Sequence, residues 1–216
     1  MRKTKRSLLI FISMILISMM MVGCSSKPKV TADETAKIMY NFYFKGDKEG
    51  LAKVKLEATE AEEISKLQKE TAITTMRNNF KVAGMAVNDQ QIEEVYNARM
   101  EGFKKLTVNA EVVSQDDENA EVKVKSTYFN EIEINKKASD SAIEEVKKLN
   151  LTNEKEALDK YANIYLKNIV EAYKTVEPSQ DTKEATFKFV NKEKTWVPEN
   201  SVKFGSGLAN LILGLQ

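Results

Sequence analysis

Apolar positions recur along this chain in three rhythms. Residues 8–22, LLIFISMILISMMMV, are apolar throughout except for two serines. From Thr31 the spacing turns helical. Ala36, Met39, Tyr40 and Tyr43 recur at threes and fours, predicting a helix to about Phe44 with Thr31 or Asp33 as its cap and Glu34 in its first turn. KGDKEG at 45–50 interrupts it. A second helix is predicted over 59–83, where Thr59 and Glu62 fit a capping box, Ile64, Leu67, Ala72, Met76, Phe80 and Ala83 line the inner side, and Gly84 stops the chain. A third follows an Asn88 or Asp89 cap, with Ile92, Val95, Tyr96, Met100 and Phe103 facing inward. At Leu106 the period drops to two. TVNAEVV and NAEVKVKSTYF alternate across the turn-rich SQDDE. Ala120, Val122, Val124, Ser126 and Tyr128 form a dry face there, and Glu121, Lys123 and Lys125 a wet one, as a one-sided antiparallel hairpin requires.

Helical spacing then returns. SDSAIEEVKKLN (139–150) predicts a short helix. TNEKEALDKYANIYLKNIVEAYKTVE predicts the strongest one, with a stripe of Leu158, Tyr161, Ala162, Tyr165, Leu166, Ile169, Ala172 and Tyr173 and with Pro178 just past its end. A second hairpin pairs EATFKFV with TWVPE around NKEK. GSGLANLILGLQ reads as a flexible start followed by a short apolar tail helix. Helices segregated from antiparallel strands define an α+β class. The expected architecture is one domain over residues 31–216, its two hairpins merged into a single curved sheet with helices on the apolar face. The alternative is two small helix-plus-hairpin units joined near 135–140.

The first apolar run has its own meaning. RKTKR at 2–6 precedes it, and as a helix its 15 residues reach only about 22 Å, short of a hydrocarbon core of about 30 Å. A basic start, a short apolar middle and a small-residue end are the layout of a secretory leader. Met21, Val22, Gly23 and Cys24 at its end resemble the bacterial lipobox, with methionine where leucine is usual. That resemblance implies removal of residues 1–23 and attachment of diacylglycerol to Cys24, two acyl chains being enough for stable anchoring where one is not. Residues 24–30 would then be the lipidated cysteine and a polar tether. The expected place of the protein is the outer face of the cytoplasmic membrane.

Composition narrows the chemistry. Lys and Arg number 33 against 32 Asp and Glu. Without the four leader cations Arg2, Lys3, Lys5 and Arg6, 29 stand against 32, a net charge of −3. No basic face for nucleic acid is expected. The absence of histidine removes the commonest general base and imidazole ligand, and a single cysteine closes no intrachain disulfide. DDEN at 116–119 has calcium-like ligand types without the spacing of a calcium loop, and a solvated turn is the simpler expectation. GDKEG lacks the GK[ST] ending of a phosphate loop. NLT at 150–152 matches a glycosylation acceptor by chance. The carboxylates, Glu60, Glu62, Glu63, Glu93 and Glu94 among them, fall in solvent-face runs. No catalytic residue, metal ligand or cofactor is expected.

YNFYF at 40–44 holds four aromatics in five residues, more than one helix face accommodates. Tyr40 and Tyr43 or Phe44 are expected to enter the core, leaving Phe42 exposed. Tyr40, Phe42 and Trp196 are the candidate ligand or partner contacts, in a cleft between sheet and helices. For Leu208–Leu215, packing onto the domain is expected over self-association.

The lipobox ending in Cys24, the helix TADETAKIMYNFYFKGD, the hairpin AEVKVKSTY and the ending FKFVNKEKTWVPEN…GLANLILG together resemble a Gram-positive lipoprotein family whose extracellular domain is of unknown function. The last hairpin is similar to those of cystatin-like and nuclear-transport-factor-like folds. The resemblance implies location and broad architecture, and no catalytic residues. The favoured expectation is a non-enzymatic binding or accessory module with a cell-wall or surface-protein partner. The alternatives are an immunity or exclusion lipoprotein that blocks a surface partner, and a wall- or lipid-acting hydrolase that uses carboxylates alone.

Overall fold

The computed structural model describes residues 28–215. Helix α1 (Ala32–Tyr40) runs into a π-helical turn at Asn41–Lys45, and a 3₁₀ turn follows at Leu51–Val54. Helices α2 (Ala58–Val82) and α3 (Asp89–Lys104) lead to strands β1 (Val108–Gln115) and β2 (Asn119–Thr127). Helices α4 (Glu131–Lys148) and α5 (Glu154–Thr175), strands β3 (Thr182–Lys192) and β4 (Thr195–Pro198), and helix α6 (Ser201–Ile212) complete the chain. The fold is α+β. Its sheet is four-stranded, open and antiparallel, in the order β1-β2-β3-β4. No described helix is long and apolar enough to cross a membrane.

Alternation decides which side of the sheet is dry. Ala120, Val122, Val124 and Ser126 are buried along β2, and in register with them Phe187 and Phe189 on β3 join the same face. Helices α1 and α6 pack on that face, while α3, α4 and α5 pack on one another beyond it. The main core draws buried residues from α1 and from α3 through α6, with Met76 and Phe80 of α2 half-buried against it. A smaller one gathers Val30, Ile38, Phe42, Leu51, Ala61 and Ile64.

Four local expectations are corrected. Helix α2 starts at Ala58 rather than 59. Its cap is Glu57, whose N–H donates to the Glu60 carboxylate at 3.2 Å, because Lys55 in the left-handed region returns the chain early enough for Glu57 to be extended. Leu67 and Ala83, expected inside, are exposed; only Ala61 and Ile64 of α2 are buried. Helix α4 starts at Glu131, not 139. Asn130 caps it by accepting the Glu133 N–H at 3.2 Å, so residues 135–140 lie within the helix. GSG at 205–207 is helical, because α6 lies so close to β3 that a Cβ on Gly207 would stand 2.5 Å from a Phe187 ring carbon.

Candidate functional site

The most unusual chemistry among the described residues is a charged cluster sealed between α3, α4 and α5. Asn130 caps α4 and thereby sets Glu131 in its first turn, where the helix dipole favours an anion. Glu131 is nonetheless only 7 % exposed. Arg99, reaching from α3, donates Nη2 to Glu131 Oε1 at 3.0 Å, and the Tyr173 hydroxyl of α5 donates to Oε2. The guanidinium also lies 5.7 Å from the Tyr173 ring centre and 5.9 Å from that of Phe103. Asn135 donates to the Glu131 carbonyl at 2.7 Å and accepts from Tyr165, which stacks on Tyr161.

Charge and burial compete in this cluster. Burial opposes the charged form of Arg99, yet the Glu131 carboxylate and the Tyr173 phenol outweigh it and lift the guanidinium above its ordinary value. Burial pushes the Tyr173 phenol well up. Each carboxylate oxygen accepts one bond within the cluster, and burial at 7 % exposure keeps Glu131 away from an incoming substrate. The arrangement joins three helices rather than presenting a base.

Burial also raises the phenols of Tyr40 and Tyr96, and pushes those of Tyr43 and Tyr165 to about 12. An unfolded tyrosine loses its proton near pH 10. The stability contributed by holding these phenols neutral is therefore complete below about pH 10 and is lost as pH rises toward their folded values. A spectrophotometric phenolate titration alongside circular dichroism is expected to show these tyrosines ionising late and together with unfolding. Ionisation of all seven near pH 10, with the fold intact, would contradict the packing.

At the turn between β1 and β2, an open groove of about 350 Å³ is lined by Gln115, Asp116, Glu121, Lys188 and Glu199 among others. Asp116 spends its carboxylate on the N–H groups of Asn119 (2.6 Å) and Glu118 (2.8 Å), which hold it below the usual carboxylate range. On the outer sheet face Glu111 sits 3.4 Å from Lys125 and 3.5 Å from Lys123, and the two lysines, Lys125 foremost, lower its pKa. Among the described residues, no group of three or more Asp, Glu or Cys is placed to hold a metal.

The three aromatic candidates do not meet in a cleft. Tyr40 is fully buried and joins its hydroxyl to Ser126 Oγ at 2.6 Å. Ser126 in turn donates to the Thr127 carbonyl, which leaves Tyr40 as the donor in the first bond. Trp196 is 2 % exposed within the same main core. Phe42, expected at the surface, is 3 % exposed in the smaller core. The π turn explains this: its extra residue per turn rotates successive side chains, so Phe44 follows Tyr40 into the main core and Phe42 turns the other way. Cys24 lies outside the described residues. Arg99 was not singled out from the sequence, although a charged residue between Val95 and Phe103, on the inward stripe of α3, is a legible sign of a buried pair.

No family model and no curated protein matches the chain. Among solved structures, the fold is similar to that of a candidate lipoprotein, ycdA, from Bacillus subtilis subsp. subtilis str. 168, with a TM-score of 0.62 and 15% sequence identity. The match covers 85% of this chain and 56% of that one, so the chain spans little more than half the length of its structural neighbour. The likeness is one of fold.

Proposed function

We propose that this protein is a lipid-anchored module on the outer face of the cytoplasmic membrane, with residues 1–23 removed and diacylglycerol, palmitate among its acyl chains, on Cys24. The carrying observation is Met21-Val22-Gly23-Cys24 closing a 15-residue apolar run, with Val30, six residues later, already buried in the folded body. A candidate lipoprotein of similar fold supports the reading. A non-enzymatic binding or accessory role at the envelope is supported by the state of the acids. Glu131, the one buried carboxylate among the described residues, is taken up by Arg99 and Tyr173. Many surface acids are ion-paired with lysines.

The mass of the N-terminal peptide of the native protein tests this. Cys24 is expected as the first residue and to carry diacylglyceryl, and Cys24→Ala is expected to move the protein from the detergent phase to the aqueous phase. A free Cys24 thiol, or an uncut 1–23 segment, would overturn the anchor. Incubation of the purified protein with wall polymers or lipids is expected to release no product. Product formation abolished by a single carboxylate substitution would overturn the binding reading in favour of hydrolysis.

A further inference from the structure

Val30 is packed into the smaller core at 7 % exposure, and Thr31 directly caps α1 by accepting the Glu34 N–H. The chain is therefore held in the body from residue 30 onward. Only Ser25, Ser26, Lys27, Pro28 and Lys29 separate it from Cys24. Six residue steps, even fully extended, span about 20 Å. A folded body of this size has a radius of gyration of about 16 Å and is roughly 40 Å across. The tether is thus shorter than the body it holds, and the end of the body at which it enters is constrained to be the end nearest the bilayer.

The contacts identify that end. Tyr40, at the end of α1, is bonded to Ser126 near the end of β2, while Glu34 in the first turn of α1 pairs with Lys53 at 3.0 Å, two residues from the Lys55 that reaches the β3–β4 connection, so α1 begins about 13 Å back toward the start of β2. The turn after Val54 follows the same geography. Lys55 Nζ donates to the Glu193 carbonyl in the β3–β4 connection, and Asn191 bonds the carbonyls of Glu118 (2.7 Å) and Asp117 (2.9 Å) in the β1–β2 connection. The entry of the chain, the 3₁₀ turn and both strand connections share one end of the sheet. The opposite end carries Thr107, Thr127 and Thr182, about 26 Å away along β2.

Resting on lipidation of Cys24, we propose that the end bearing Val30, Lys55 and the 192–194 turn faces the lipid headgroups. The end bearing Thr107, Thr127 and Asp181 faces outward, toward whatever the module binds. Lys29, Lys55, Lys192 and Lys194 are exposed at the inner end, but so are Asp116, Asp117, Glu118 and Glu193, so the short tether and not charge sets the orientation. The lipid surface is the partner of one end of the sheet and leaves the other free.

Fluorescence energy transfer to acceptor-labelled lipid tests this in the full-length lipidated protein. Vesicles of phosphatidylglycerol and phosphatidylethanolamine are the probe, with a donor dye on Lys192→Cys or on Asp181→Cys. Both positions are exposed, and Cys24 is blocked by its own lipid. Transfer is expected to be severalfold stronger from position 192, and a long Gly/Ser insertion before Pro28 is expected to erase the difference. Equal transfer, or stronger transfer from 181, in protein whose N-terminal mass confirms lipidation would overturn the orientation and leave the anchor standing. Protein that lacks the diacylglyceryl mass and does not bind the vesicles would remove both.

Discussion

Glu131→Gln is expected to lower the stability of the folded body by about 3 kcal/mol, near the lower end for breaking a buried pair from one side. The substitution keeps volume and shape but removes the charge that Arg99 faces. Arg99 is one-fifth exposed on α3, its Nε is already buried without a partner, and the Phe103 and Tyr173 rings leave the guanidinium no other anion. Its charge would then stand desolvated and uncompensated. Tyr173→Phe removes one neutral donor to the same carboxylate and is expected to cost less, about 1–2 kcal/mol. Arg99→Met combined with Glu131→Gln is expected to recover much of the loss, since the cost lies in leaving one charge alone. Urea midpoints of the four proteins measure this. A Glu131→Gln midpoint within about 0.5 kcal/mol of wild type would show that the cluster is solvated.

Phe204→Ala is expected to cost about 3–5 kcal/mol, the range for emptying a buried aromatic site. Phe204 is 2 % exposed and meets Phe187 edge-on at 4.9 Å and Phe189 at 5.4 Å, so its ring bridges α6 to β3. Leu208, Leu211 and Ile212 on the same helix are buried beside it. Phe204→Leu keeps most of the volume and is expected to cost under about 1.5 kcal/mol. Thermal or urea unfolding of the monomer gives the numbers, and sedimentation gives the assembly state. If the apolar tail were instead a self-association patch, the substitution would dissociate an oligomer and leave monomer stability unchanged.

Much of the fold was legible because local periodicity and burial agree over long stretches. The alternation of Ala120, Val122, Val124, Ser126 and Tyr128 marked the dry face of β2; the first four are buried, and Tyr128, just past the strand, is half-buried. Of the stripe on α5, Ala162, Leu166, Ile169 and Tyr173 are buried, while Leu158, Tyr161, Tyr165 and Ala172 are half-buried. Thr31, Asn88 and Gly84 punctuate their helices as their chemistry requires. What escaped was decided by non-local contact. Helix α4 extends back to Glu131 because a carboxylate with Arg99 and Tyr173 to neutralise it tolerates burial. The helical GSG reflects Gly207 giving up intrinsic propensity so that Phe187 can approach.

The candidate site divides along the same line. A basic start before a 15-residue apolar run, a lone cysteine beside it and a chain without histidine are one-dimensional facts, and with the α+β class they are what the sequence by itself determined. Tertiary structure alone decided that Phe42 is interior, because the π turn at Asn41–Lys45 re-aims its ring. It alone brought Arg99, Glu131 and Tyr173 together from separate helices, at sequence separations of 32 and 42 positions. It alone placed Val30, Lys55 and Glu193 at one end of the sheet. Periodicity reports which side of an element avoids water. Which element covers that side, and which charges meet there, is settled only by packing the whole chain.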